Sequence, residues 1–128
     1  MTSIEPPNKF SNIPSIKIPI IVGDKSSTET LSEITAKRKI IIFGVPGSFT
    51  PTCSEKHLPG YIKLYDKFKN LGVDDIYCLA VNDVYVLKAW LTSLHEGDLI
   101  KGIADGNCEF TNLMNLSSDY SKNFMGKR

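Results

Sequence analysis

Pro46, Thr50 and Cys53 stand in the spacing Pro-x-x-x-Thr-x-x-Cys, directly after the apolar run Lys39–Val45. Thr50 is a good helix N-cap and Pro51 suits a first helical position. That order predicts Cys53 in the first turn of a helix. Unsatisfied N–H groups and the positive end of the helix dipole favour an anion there. A thiol so placed has a depressed pKa and is partly thiolate near neutral pH. Thr50 lies one helical turn from Cys53, so its hydroxyl can donate to sulfur or accept from the O–H of a substrate. Pro46 is expected to set an apolar ring over the sulfur and limit water. His57, four residues after Cys53 on the same face, can order the pocket or assist proton transfer. The chemistry expected is nucleophilic attack by sulfur. Two other readings compete with it: a small buried hydrophobe, and a Cys–His hydrolase pair, which lacks an identifiable orienting Asn or Asp.

The elements that must position these residues follow from period and punctuation. Lys39–Val45 is continuous and β-branched, as expected of a central strand buried on both faces. Pro51–Leu71 reads as a helix through Leu58, Ile62, Tyr65, Phe68 and Leu71. Pro59-Gly60 should kink it and Gly72 should end it. Ile76–Val81 is a second buried strand. Asn82-Asp83 caps a helix from about Val84 to Leu94, with Val86, Leu87, Trp90, Leu91 and Leu94 on one side. Leu99–Ala104 is a third strand and Cys108–Leu116 a short helix; the tail Ser117–Arg128 has no clear period. Upstream, residues 1–15 read as an extended arm and Ile16–Val22 as an edge strand because of Pro19. Gly23-Asp24-Lys25 is a turn, and one helical turn is expected around Leu31 and Ile34. Alternating strands and helices imply right-handed crossovers and a largely parallel sheet with helices on both faces. The Pro46–Cys53 segment then lies at the carboxyl end of a strand, where open α/β sheets place their sites.

Length and composition bound the rest. At 128 residues the chain is read as one domain, residues 1–128, able to bury an ordinary core. A net charge of +1 gives no reason to expect nucleic acid or an anionic membrane as partner. The short basic patch Lys37-Arg38-Lys39 reads as a solvated turn. No apolar stretch approaches the roughly 18–20 residues of a membrane span, and the start is not a secretory signal. Three cysteines without a close pair suit a reducing compartment rather than a disulfide framework. There is no Cys-x-x-Cys, no zinc-type His/Cys spacing and no phosphate-cradling glycine loop. The expected location is cytoplasmic, or an organelle matrix after removal of a presequence.

Pro46-x-x-x-Thr50-x-x-Cys53 resembles the peroxidatic-cysteine motif of the peroxiredoxins. The longer string Phe43–Ser54, with His57-Leu58-Pro59-Gly60-Tyr61, resembles their type II (atypical, peroxiredoxin-5-like) subfamily. Val81-Asn82-Asp83, Lys88-Ala89-Trp90 and Ala104-Asp105 fit it too. The resemblance implies an α/β, thioredoxin-like fold, its central, largely parallel sheet flanked by helices. It implies reduction of hydrogen peroxide and organic hydroperoxides, with Cys53 attacking as a thiolate and becoming a sulfenic acid. Thr50 would polarise sulfur and peroxide, Pro46 would shield the site, and Gly47, Phe49 and His57 would line the pocket. No metal or organic cofactor is implied; electrons come from a thiol reductant, glutathione with glutaredoxin or thioredoxin. A homodimer built around Phe43–Phe49 and the 83–90 region is suggested.

One departure from the family pattern stands out. Family members continue through another strand pair, near whose start an arginine stabilises the thiolate and the leaving oxygen. This chain stops at Arg128, which resembles an arginine slightly upstream of the catalytic one. The expectation is a C-terminally truncated member with Arg128 as the candidate catalytic arginine, weak peroxidase activity and an exposed sheet edge. Cys78 matches a position that acts as resolving thiol in some plant members; the competing reading is a core cysteine among Tyr77, Leu79, Ala80 and Val81. The default is a one-cysteine mechanism. An incomplete, non-catalytic thioredoxin-like fragment or redox-partner-binding module is the alternative function; a glutaredoxin-like transferase is disfavoured by the absent Cys-x-x-Cys.

Overall fold

The computed structural model describes residues 13–50 and 58–128. The extended arm expected over the first residues therefore lies almost wholly outside the described residues, as do Pro51, Cys53 and His57.

Five strands form one sheet: β1 (Lys17–Val22), β2 (Lys25–Thr30), β3 (Ile40–Val45), β4 (Asp75–Ala80) and β5 (Lys101–Ala104), in the order β2-β1-β5-β4-β3. β3, β4 and β5 run parallel, the register pairing Val45 with Ala80 and Ala80 with Ala104. β1 is antiparallel to both β2 and β5. The sheet is thus mixed, its parallel part made of the three strands expected from the apolar runs. Helices α1 (Leu31–Ile34), α2 (Leu58–Lys63), α3 (Tyr65–Asn70), α4 (Val84–Ser93) and α5 (Glu109–Leu113) flank it. The side chains of β4 alternate between two cores. Cys78, Ile76 and Ala80 pack with Phe43, Leu58, Leu87, Trp90 and Leu91 on one face. Tyr77 and Leu79 pack with Ile18, Ile20, Leu31, Ile103 and Phe110 on the other.

Several expectations are corrected. The strand buried at all six positions is β4, flanked by β5 and β3, whereas β3 closes one side of the described sheet with Ile40, Ile41 and Ile42 half-buried. β1 is internal rather than an edge; β5 pairs with it only at Ile20 and Ile21, so Pro19 stands beyond that ladder. β2 lacks apolar alternation and exists because Gly23, at φ +64°, turns the chain back on β1. The described helical stretch is divided at Leu64, between α2 and α3, while Pro59 and Gly60 both lie within α2; the residues before Leu58, where the expected helix starts, lie outside the described ones. Val86 of α4 is 37% exposed, while Leu87, Trp90 and Leu91 are buried. Lys37, Arg38 and Lys39 are all exposed, as a solvated turn requires; the Arg38 guanidinium in addition pairs with Asp75 at the head of β4, and Lys101 at the head of β5 meets the same carboxylate at 2.9 Å. Gly72 follows α3 as expected, with the N–H of Val73 bonded to the carbonyl of Phe68.

Candidate active site

β3 delivers the chain to Pro46 at the carboxyl end of the parallel strands, and the segment Pro46–Thr50 is held there from three directions. The N–H of Ser48 donates to Oδ1 of Asn82, just past β4, at 2.9 Å. Thr50 folds back on Gly47: its Oγ1 donates to the Gly47 carbonyl at 2.8 Å, and its N–H reaches the same oxygen at 3.4 Å. A hydroxyl has one proton. With that proton on Gly47, Thr50 presents lone pairs, so of its two expected roles this geometry offers acceptance from a substrate O–H.

Arg128 supplies the third hold. Its Nη1 donates to the carbonyl of Pro46 at 3.2 Å and its Nε to the carbonyl of Met125 at 2.8 Å. The tail that carries it is ordered although its sequence has no period. Ser118 and Arg128 exchange two backbone hydrogen bonds, Tyr120 bonds Gly126, and Asp119 bridges Lys127. This return of the chain sets the guanidinium against the buried Gly47. A Cβ on Gly47 would lie 2.9 Å from Nη1 of Arg128 and 3.3 Å from Cε of Met125, so a side chain there would push these side-chain ends aside. A fixed positive charge therefore stands beside the Pro46–Gly47 peptide.

Comparison with known proteins identifies the family and the fold. The redoxin family pattern matches residues 10–128. The chain belongs to the redoxin family. Peroxiredoxin-2B of Arabidopsis thaliana is 44% identical over 106 residues, which span 83% of this chain and 65% of that protein. The crystal structure of reduced Prx3 from Vibrio vulnificus in complex with hydrogen peroxide has a TM-score of 0.82 at 38% identity, covering 90% of this chain and 72% of the other. That of the Plasmodium falciparum antioxidant protein, titled a 1-Cys peroxiredoxin, has a TM-score of 0.80 at 43% identity, covering 91% and 70%. The chain is thus a thioredoxin-fold peroxiredoxin that spans about two thirds of the length of its Arabidopsis relative. Relatives also include peroxiredoxins from Arabidopsis with chloroplastic and mitochondrial names.

Gly47 and Phe49, two more of the site residues expected in this peroxiredoxin, lie within the same segment, and His57 lies outside the described residues. Gly47 is buried and Phe49, with φ +63°, is 56% exposed. Cys78 is fully buried in mid-β4, paired in register with Phe43. The ring of Tyr61 stacks on Phe43 at 3.9 Å between centroids and 2° between planes, locking α2 onto β3. Burial first, and the neighbouring Cys78 second, push the Tyr61 hydroxyl up from its ordinary value. Cys108 takes a left-handed conformation before α5 and is buried. Burial, then the Asp105 carboxylate, push its thiol up; Arg128, Lys127 and a hydrogen bond with Thr111 pull the other way. Asp105 itself is buried and fully engaged, accepting from the N–H groups of Phe110 and Thr111 and from the Thr111 hydroxyl.

A cleft of about 390 Å³ opens beside the start of α4, lined in part by Lys17, Asp83, Asn107 and Glu109, and none of Pro46–Thr50 borders it. Sequence reasoning assigned Asn82 to capping and missed its grip on Ser48. The cap is Asp83, whose Oδ1 accepts from the N–H groups of Tyr85 and Val86, both at 2.9 Å. The Asn-Asp pair after an apolar strand was the available signal: one residue caps the helix and the other is left to reach sideways. Met125 gave no signal. Its contact with Gly47 depends on how the tail returns.

Proposed function

We propose that this chain is a thiol peroxidase that reduces hydrogen peroxide and organic hydroperoxides. The Cys53 thiolate attacks the nearer peroxide oxygen; its electron pair forms the S–O bond as the O–O bond breaks. The leaving oxygen departs as hydroxide or alkoxide and takes a proton, leaving water or an alcohol and a sulfenic acid. Thr50 accepts from the hydroperoxide O–H, Pro46 shields the sulfur, and the charge of Arg128 favours both thiolate and leaving oxygen. Gly47, Phe49 and His57 are the pocket residues of this reading. The observation that carries it is the Pro46–Thr50 segment, with the Thr50 hydroxyl turned into an acceptor by Gly47 and Arg128 fastened to Pro46.

A thiol reductant, glutathione with glutaredoxin or thioredoxin, returns the sulfenic acid to thiol and closes the cycle. A one-cysteine route is supported by the burial of Cys78 and Cys108 and by the one-cysteine title of the Plasmodium relative. A resolving role for Cys78 would require local opening of β4. Phe49, Tyr85 and Val86, exposed at 56%, 81% and 37%, offer apolar contact for a homodimer. The proposed location is cytoplasmic; the chloroplastic and mitochondrial names among relatives support an organelle matrix as the alternative.

Peroxide followed by a sulfenic-acid reagent tests the reading. Stoichiometric labelling is expected at Cys53, with none in Cys53→Ser. A Cys53→Ser variant that consumes peroxide as fast as the parent would overturn it. A parent that only binds a redox partner, without labelling, would leave the non-catalytic module.

A further inference from the structure

We infer that Asn82 is a positioning residue for the reaction of Cys53 with peroxide: it aims the segment that carries Thr50. The inference rests on the thiol-peroxidase reading above. A backbone N–H can only donate, so the Asn82 atom facing Ser48 is the amide oxygen, 2.9 Å from the Ser48 nitrogen. This bond lies just past the ends of two parallel strands whose last pair is Val45 and Ala80. There the backbone ladder has stopped, and a side chain makes the next cross-connection. The Asn82 bond therefore sets where the chain travels after Pro46, two residues before Thr50.

The acceptor is mounted on a rigid support. The next residue, Asp83, caps α4 through two N–H groups, and α4 is anchored in the core by Leu87, Trp90 and Leu91. The Asn82 main chain cannot drift without uncapping that helix. Ser48 Oγ is buried with no hydrogen-bond partner among the described residues, so the Ser48 main chain, not its side chain, is what the fold grips. The Thr50 hydroxyl in turn depends on this path, because its partner is the carbonyl of Gly47, the residue before Ser48. An acceptor for a substrate O–H needs a fixed direction, and small misplacements of reacting groups carry large rate costs.

The test uses the full chain and three proteins: parent, Asn82→Ala and Asn82→Asp, the last keeping an oxygen acceptor at the same reach. Two quantities are read. Hydrogen exchange of the Ser48 amide reports the bond. The rate of the Cys53 thiolate with hydrogen peroxide, divided by its rate with iodoacetamide over a pH series, reports alignment apart from ionisation and access. Asn82→Ala is expected to expose the Ser48 amide to exchange and to lower the rate ratio by roughly 10- to 100-fold. Asn82→Asp is expected to restore protection and most of the ratio. Unchanged Ser48 exchange in Asn82→Ala, or faster exchange with an unchanged ratio, overturns the inference. So does a peroxide rate that falls only in step with the iodoacetamide rate. A parent whose Cys53 shows no preference for peroxide fails differently: it overturns the thiol-peroxidase reading itself, and this role with it.

Discussion

In the Pro46–Thr50 segment the bond that matters most to the proposed chemistry is the one from Thr50 to Gly47. Thr50 gives its proton to Gly47, leaving lone pairs that, in the proposed reaction, accept from a substrate. Thr50→Val removes those lone pairs and is expected to slow peroxide reduction by roughly 10²–10³-fold, while Thr50→Ser keeps most activity; peroxide kinetics read both. At Gly47, the side-chain ends of Arg128 and Met125 occupy the space a Cβ would need. Gly47→Ala is expected to push the guanidinium off Pro46 and to lower the rate by tenfold or more, on the order expected for a misplacement near 1 Å. The spacing of Pro46, Thr50 and Cys53 singled out this segment, but the helix start expected after Thr50, with Cys53 in its first turn, falls on residues outside the described ones. The Asn82–Ser48 bond was not legible in that way. It joins residues 34 positions apart, and nothing local in either one names its partner.

At the scale of elements, three parallel strands are tied at their amino ends by charge. Asp75 at the head of β4 holds Arg38 and Lys101, and its side chain is 11% exposed. Removing one partner of a buried ionic group leaves the others uncompensated. Asp75→Asn is therefore expected to destabilise the fold by about 3 kcal/mol in urea unfolding, the lower end for such pairs, without changing the reactivity of Cys53. β3 was readable from a continuous β-branched run and β4 and β5 from shorter apolar stretches, and α4 from its cap and its buried Leu87, Trp90 and Leu91. β2 was not, because Lys25–Thr30 is nearly all polar and becomes a strand only by pairing with β1 across the Gly23-Asp24 turn. The position of β3 at the side of the sheet was equally hidden: an apolar run reports burial, while strand order is a property of the assembled sheet. Leu64, where α2 gives way to α3, carries no breaker in sequence.

Across the whole molecule, alkaline pH is the condition that strains the fold. Tyr61, Tyr77 and Cys108 all have hydroxyl or thiol groups pushed up, each chiefly by burial. A group held neutral in the folded state contributes stability that is intact below its unfolded pKa. As pH rises past that value the unfolded chain ionises first, and the contribution is lost by the time the folded group titrates. Stability is expected to fall as pH rises from about 9 through 10, the ordinary values of these groups. Tyr61→Phe with Tyr77→Phe should flatten that decline, as followed by thermal melts over a pH series. The central claim, however, is that one sulfur is held ionised and presented to peroxide beside Pro46 and Thr50. Stopped-flow oxidation of Cys53 by hydrogen peroxide, against a small free thiol corrected to the same thiolate fraction, tests it most directly. The account predicts a thiolate at least roughly 10²-fold faster than the small thiol, the size of contribution expected from a preorganised site; equal rates for the two would contradict it.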